Sequence, residues 1–544
     1  MSGWFLALLV LQGNLSIDGT VANALSQEPV AQTQIVAVPV GGQWKDSRIS
    51  ATDAAGHFSI GGLVPGSYRI FFEHDGFART EYGQRAPGKA GVPIEIAASK
   101  NISGLTIPLT PTAAIYGQVI NGSNEPVVNA TVKALKPGYR EGERSLQAVL
   151  SVHTNDLGEY RLFGLPPGRY FLSVTPIPSP SIEGGTLTTP SGSGFSIQAI
   201  QNILATGNPI DPRALDNSSE PTIYFPGTMD PAAATSIDLK AGSSYSAPDL
   251  RTVRTRGFGI RGQFIDDAGQ PAAVTSAALT RANSNETVRT NLMTQNRNTF
   301  EFSGILPGVY ELSATVQGAN ADKAGYLTIN VGNENAENLR LVLNTAIQVK
   351  GRILLNGGTL PSALRVQLRG AHGVNGVQIN PTAADGSFTI TRLVPGDYKL
   401  AFSGLPPNLH VRSVRFGTAE VLDSAIHVQS PASELLEVVL GTNTGALDAV
   451  VVDRNNQPSA AATVVLVPSS SRGRFELYRT ATTDTSGRAS LTNIAPGSYK
   501  LFAWQDIEEN AWQNAEVMRA FEDGGAPVII SENGRANQRI TVLE

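Results

Sequence analysis

At 544 residues the chain exceeds what one hydrophobic core can serve, so several domains are expected. Glycine (55) and proline (33) are abundant and charged residues make up only 16%, a balance of turns and short strands rather than helical bundles. With a net charge of -5 and no Lys/Arg cluster to follow a phosphate backbone, nucleic acid is excluded as a partner; zero cysteines remove disulfides, thiolate metal sites and cysteine nucleophiles.

Residues 1–13, MSGWFLALLVLQG, hold an apolar run from Trp4 to Leu11 of signal-peptide type. No Lys or Arg precedes the run and no clear small-x-small site follows it, so 1–13 read as a signal-peptide remnant, with a buried first strand as the alternative. Export to the periplasm, cell surface or exterior is the expectation. No other segment approaches the ~18 apolar residues needed to cross a bilayer, so the mature chain is expected to lack a transmembrane segment.

From Asn14 onward one short phrase returns: LVPGSY (63–68), LPPGRY (165–170), ILPGVY (305–310), LVPGDY (393–398) and IAPGSY (494–499). Its tyrosines lie 102, 140, 88 and 101 residues apart, a domain-sized period. The shared residues are Pro65, Gly66 and Tyr68; Pro167, Gly168 and Tyr170; Pro307, Gly308 and Tyr310; Pro395, Gly396 and Tyr398; Pro496, Gly497 and Tyr499. Proline sets φ for the second position of a tight turn and glycine supplies the positive φ of a type II third position, so each pair predicts a local turn.

Alternation follows every turn. Tyr68, Ile70 and Phe72 share a face, opposite Arg69 and Glu73, which predicts a half-buried strand. A strand also runs into each turn (GHFSI, GEYRL, NTFEF, GSFTI, GRASL), four of them preceded by an Asp or Asn turn such as TDAAG or TDTSG. Further upstream stand IDGTV, IYGQV, IRGQF, VKGRI and a degenerate LDAVV, in which Ala449 replaces glycine. About seven short strands per unit predict a small β-sandwich.

The order I-x-G-x-V, then T-D-x-x-G-x-F-x-I, then L-x-P-G-x-Y-x-L resembles the carboxypeptidase regulatory-like domain. That resemblance implies a transthyretin-like, Ig-like sandwich, related to repeats of bacterial surface adhesins and to carbohydrate-binding-like folds. It also implies a non-catalytic appendage, and such modules accompany enzymes, adhesins and receptors alike. The expected architecture is all-β: five tandem seven-stranded sandwiches in an extended array, at 14–111, 112–255, 256–345, 346–443 and 444–544. The second is interrupted by a loop at 176–221, where Phe195, Ile200, Ile203 and Leu204 have helical spacing. Almost no linker separates the units, so stiff in-line stacking spanning about 170 Å is expected.

Catalytic constellations are missing from the sequence. The six histidines show no H-E-x-x-H and no pair at metal-ligand spacing, and SGSG at 191–194 is not a nucleophile elbow. The acidic turn at Asp484 and the stretch GNENAEN (332–338) depart from the calcium-loop pattern and read as hydrogen-bonded turns. Lys350 alone is loosely placed for an adhesin-type isopeptide crosslink, and it reads as an exposed lysine. No catalytic residue, metal or cofactor is expected.

Aromatics are the one feature with binding promise. In YKLFAWQD, alternation sets Phe502 and Trp504 on the face opposite Tyr499, Leu501 and Ala503, and Trp512 follows. Exposed, these three would offer a flat platform to a sugar; packed, they would close the end of the chain or fill a contact between units. Trp44 and Tyr224 are weaker candidates. The function expected is a monomeric, non-enzymatic exported scaffold in adhesion or contact with a cell-surface protein, with polysaccharide binding by Phe502, Trp504 and Trp512 as the alternative.

Overall fold

A computed structural model describes residues 15–543 except 41–43, 99, 177–180, 184–185, 189–217, 283–286, 291–296, 317–322, 356, 371–374, 379–382, 384 and 430–433. The signal-peptide expectation at 1–13, the helical spacing at 195–204 and the SGSG stretch therefore lie outside the described residues. Among the described residues the regular structure is nearly all β-strand, and the chain forms two compact units. One contains the described residues up to Val174, from Ile223 to Arg251 and from Gly445 onward; the other contains the described residues within Thr175–Thr222 and Thr252–Thr444.

In the first unit a single topology recurs. Strand Leu15–Asn23 pairs antiparallel with His57–Leu63 and parallel with Ile102–Leu109. A second sheet faces it, in the order Arg48–Ala51, Gln34–Pro39, Gly66–Glu73, with Thr80–Glu81 and Ile94–Ile96 on the outer side. Between the sheets Ile17, Ile35, Phe58, Ile60, Ile70 and Phe72 form one core. The alternation of apolar residues puts them there, because successive strand side chains point to opposite faces.

The same plan is built on Ala113–Ile120, which lies between antiparallel Glu159–Leu165 and parallel Ser244–Ser246 and Leu250–Arg251. It appears again on Gly445–Val452, between antiparallel Arg488–Ile494 and parallel Arg535–Thr541. Each has its own facing sheet and its own buried cluster.

The second unit repeats the plan with modifications. Phe258–Asp266 pairs antiparallel with Thr299–Ile305 and parallel with Ala336–Thr345. Here Lys323–Val331 pairs with both Gly308–Val316 and Ala336–Thr345, which joins the two faces into one continuous sheet. Ile347–Leu355 again holds the central place, between Ser387–Leu393 and Leu436–Gly441.

A cross-strand pair explains the recurrent glycine of the first strand. Gly19, Gly117, Gly262 and Gly351 stand in register with Phe58, Tyr160, Phe300 and Phe388. A side chain on Gly351 would fall inside the Phe388 ring, and one on Gly117 would meet the Tyr160 hydroxyl at 2.8 Å. In the last sandwich the partners are Ala449 and Ala489, so the missing glycine and the missing aromatic compensate each other.

Within the first unit, in-line stacking does not account for two neighbour relations of the last sandwich, one with the first and one with the second. Lys89, in the 15–109 sandwich, lies 2.5 Å from Asp506 of the last sandwich, and Asn514 donates to the Gly142 carbonyl at 2.7 Å.

Candidate functional site

The repeated turn is built from three residues with distinct tasks. Glycine opens the outgoing strand with φ of 153° at Gly66, 147° at Gly168, 156° at Gly308, 153° at Gly396 and 159° at Gly497. These values lie well beyond the +80° of a type II turn, so the sequence-based turn type is corrected: the glycine is needed for a nearly extended conformation of positive φ that side chains rarely adopt.

Four residues upstream the chain is left-handed, at Gly62, Gly164, Gly304, Arg392 and Asn493, with φ between 56° and 75°. Sequence reading missed this position, although glycine fills it in three copies. At the first copy Arg48 donates to the Gly62 carbonyl, and at the last Arg479 donates twice to that of Asn493.

The tyrosine locks the corner. Its hydroxyl donates to the carbonyl four residues back: Tyr68 to Val64 at 3.2 Å, Tyr170 to Pro166 at 2.7 Å, Tyr310 to Leu306 at 2.8 Å, Tyr398 to Val394 at 2.9 Å and Tyr499 to Ala495 at 2.8 Å. Burial pushes the Tyr170 hydroxyl up to about 12 and raises those of Tyr398 and Tyr499, so these phenols stay protonated donors. The ring fills the core while the hydroxyl satisfies a carbonyl that the turn leaves unpaired.

The acidic turns are also spent on the backbone. Asp484 Oδ1 accepts the amides of Ser486 and Arg488, both at 2.8 Å, and Asp53, Asn155, Asp266 and Asp453 do the same in their own turns. In the GNENAEN stretch, Asn335 Oδ1 accepts from the Gly259 amide at 2.8 Å. Among the described residues no group of three or more His, Cys, Asp or Glu could hold a metal. Lys350 is exposed.

The aromatic platform requires a correction. Alternation places Phe502 and Trp504 opposite Tyr499 and Leu501 as expected, yet that face is not open to solvent. Phe502 and Trp504 are fully buried and Trp512 is 6% exposed. A segment between Gln505 and Gly525, with the short helix Ala515–Arg519, folds over them and makes a second core with Val465, Val467, Tyr478 and Met518. Phe502 stacks on Trp504 at 5.3 Å and Phe521 meets Trp504 edge-on at 5.6 Å. No flat ring among the three is presented to a ligand. Tyr224 lies partly buried on strand Ile223–Tyr224, within the facing sheet of the second sandwich, so it too belongs to the packing.

These features define a class: a tandem β-sandwich protein whose repeated residues are the joints of the sandwich. Residues 16–101 and 114–198 match the carboxypeptidase regulatory-like domain, and residues 255–343 match the BOS complex subunit NOMO1-like, second beta sandwich domain. Two successive β-sandwiches of the chain, over 16–101 and 114–198, are thus of the carboxypeptidase regulatory-like kind. No curated protein matches the chain.

Among solved structures, the chain is similar to a streptococcal ancillary pilin, with 11% identity over 61% of this chain and 99% of the pilin at a TM-score of 0.21. It is also similar to BcpA, the major pilin subunit of Bacillus cereus, with 11% identity over 79% and 99% at 0.15. A third is the shaft pilin SpaA of Lactobacillus rhamnosus GG, with 10% identity over 44% and 98% at 0.19.

Proposed function

We propose that the protein is a non-enzymatic, exported scaffold that makes contacts at a cell surface or in the periplasm, built of five tandem sandwich domains bounded at 14–111, 112–255, 256–345, 346–443 and 444–544. The observation that carries this reading is the use to which the repeated polar residues are put. Each tyrosine hydroxyl of the five turns bonds a backbone carbonyl, and the Asx side chains bond backbone amides, so what the repeats preserve is shape. A chain that multiplies joints in this way multiplies surface and reach. Family modules named for regulation rather than catalysis fit the same reading.

The polysaccharide alternative loses its premise with the burial of Phe502, Trp504 and Trp512. The test is retention of the full chain on immobilised envelope proteins and on a panel of polysaccharides, with a turnover screen alongside. Saturable retention on protein with none on glycan is the expected result. Retention on glycan alone, or turnover lost in a folded acidic-residue variant, would overturn the reading.

A further inference from the structure

The segment that covers Trp504 has an outer side, and two other sandwiches touch it. From the first, Lys89 Nζ lies 2.5 Å from Asp506 Oδ1 and donates to the Ile507 carbonyl at 3.1 Å. Nearby, Arg85 donates to the Ala460 carbonyl at 2.5 Å. From the second, the Gly142 carbonyl accepts from Asn514 Nδ2 at 2.7 Å. The same Asn514 side chain caps the helix Ala515–Arg519, its Oδ1 accepting from the Glu516 and Val517 amides at 3.0 and 2.9 Å. One residue thus fixes the helix and the contact together.

The second sandwich is shaped for this meeting. Gly142 is the tip of a hairpin formed by Thr131–Arg140 and Glu143–His153, whose outer strand has 11 residues. The corresponding outer strands Arg48–Ala51 and Arg479–Thr482 have four. Glu141 and Gly142 both have positive φ, 49° and 79°, which makes a tight two-residue turn. A Cβ at Gly142 would come within 3.0 Å of the Gln513 carbonyl, so the glycine allows the tip its close approach. Lys136, on the same hairpin, has its amine held below the usual lysine range by burial and then by the charge of Lys89, which places the two lysines in one electrostatic neighbourhood.

We infer that the 505–514 segment is a clasp, docking the last sandwich onto the first two so that the three act as one body. The contacts divide by strength. The ion pair is exposed on both partners and screened by salt, so it contributes direction more than stability. The hydrogen bonds from Lys89 and Asn514 end on, or start from, the 505–514 segment and depend on its exact fit, while Arg85 adds a bond to the Ala460 carbonyl beside it.

Zero-length carbodiimide coupling of the full chain, read by mass spectrometry of the monomer, tests the clasp. Lys500 and Glu522, 2.7 Å apart inside the last sandwich, serve as the internal control. The expected result is an amide between Lys89 and Asp506 in the monomer at a yield comparable to the control. Asn514→Ala should lower that yield several-fold with the control unchanged, and Lys89→Arg should abolish it. Control coupling without Lys89–Asp506 coupling overturns the clasp. So does a Lys89–Asp506 link found only between isotopically distinct copies, which would make the contact intermolecular.

Discussion

Gly351 and Phe388 are register partners on antiparallel strands, and the aromatic ring occupies the space above the glycine where a side chain would stand. Ala449 and Ala489 hold the equivalent places in the last sandwich. Gly351→Ala should overpack the site and cost about 1–3 kcal/mol of local stability. Ala489→Phe should be similarly costly, and Ala449→Gly should recover most of the loss in the double variant. Hydrogen exchange of strand Gly445–Val452 reads the coupling; strict additivity would refute it.

Removing one corner hydroxyl isolates its role. Tyr499→Phe keeps the ring in the core and leaves the Ala495 carbonyl without its donor, an expected loss of about 1–3 kcal/mol. The loss should appear as faster amide exchange in Gly497–Trp504. A value near zero would mean that water replaces the phenol.

The left-handed position should discriminate by residue type. Gly164, at φ 75°, is matched by Asn493 at φ 56°, so Gly164→Asn should cost less than about 1 kcal/mol and Gly164→Val about 2 kcal/mol. Equal costs would indicate that the strand relaxes around the substitution.

Acid stability should depend in part on Asp448. Hydrogen bonding to Arg535 holds its carboxyl below the usual carboxylate range. A depressed folded value means that the contribution is complete above the unfolded carboxylate pKa and disappears as pH falls through the folded one. Asp448→Asn should therefore lower stability at neutral pH, leave stability below the folded pKa nearly unchanged, and so flatten the acid limb of the stability curve. An unchanged acid limb would dismiss the pair as a contributor.

Trp504→Ala should act on folding rather than on ligand binding. Emptying the second core is expected to cost about 3–5 kcal/mol, with Trp504→Phe losing less. Thermal unfolding together with a polysaccharide pull-down separates the two roles. Destabilisation without any change in glycan retention is the expected pair of results.

Strand positions and joints were legible because their causes are local. Tyr68, Ile70 and Phe72 announce a buried face by period two, and Pro-Gly announces a turn without reference to distant residues. The turn's actual geometry was less legible: φ near 150° at the glycine and the reach of the tyrosine hydroxyl back to the carbonyl four residues earlier are properties of the folded corner, not of the Pro-Gly pair. The choice between platform and packing was not legible for a similar reason. Alternation tells which face Trp504 takes, whereas the cover over that face comes from a short helix and loops with little periodic signal of their own.

By itself, then, the sequence determined the β class, the recurring corner and the side of the strand on which each residue stands, because these depend on neighbours one to four positions away. Tertiary structure alone decided that Trp504 is core, that Ala449 is tolerated because Ala489 faces it, and that Lys89 meets Asp506. Those outcomes rest on contacts between residues far apart in the chain, where packing space and charge partners exist only after the sheets have closed.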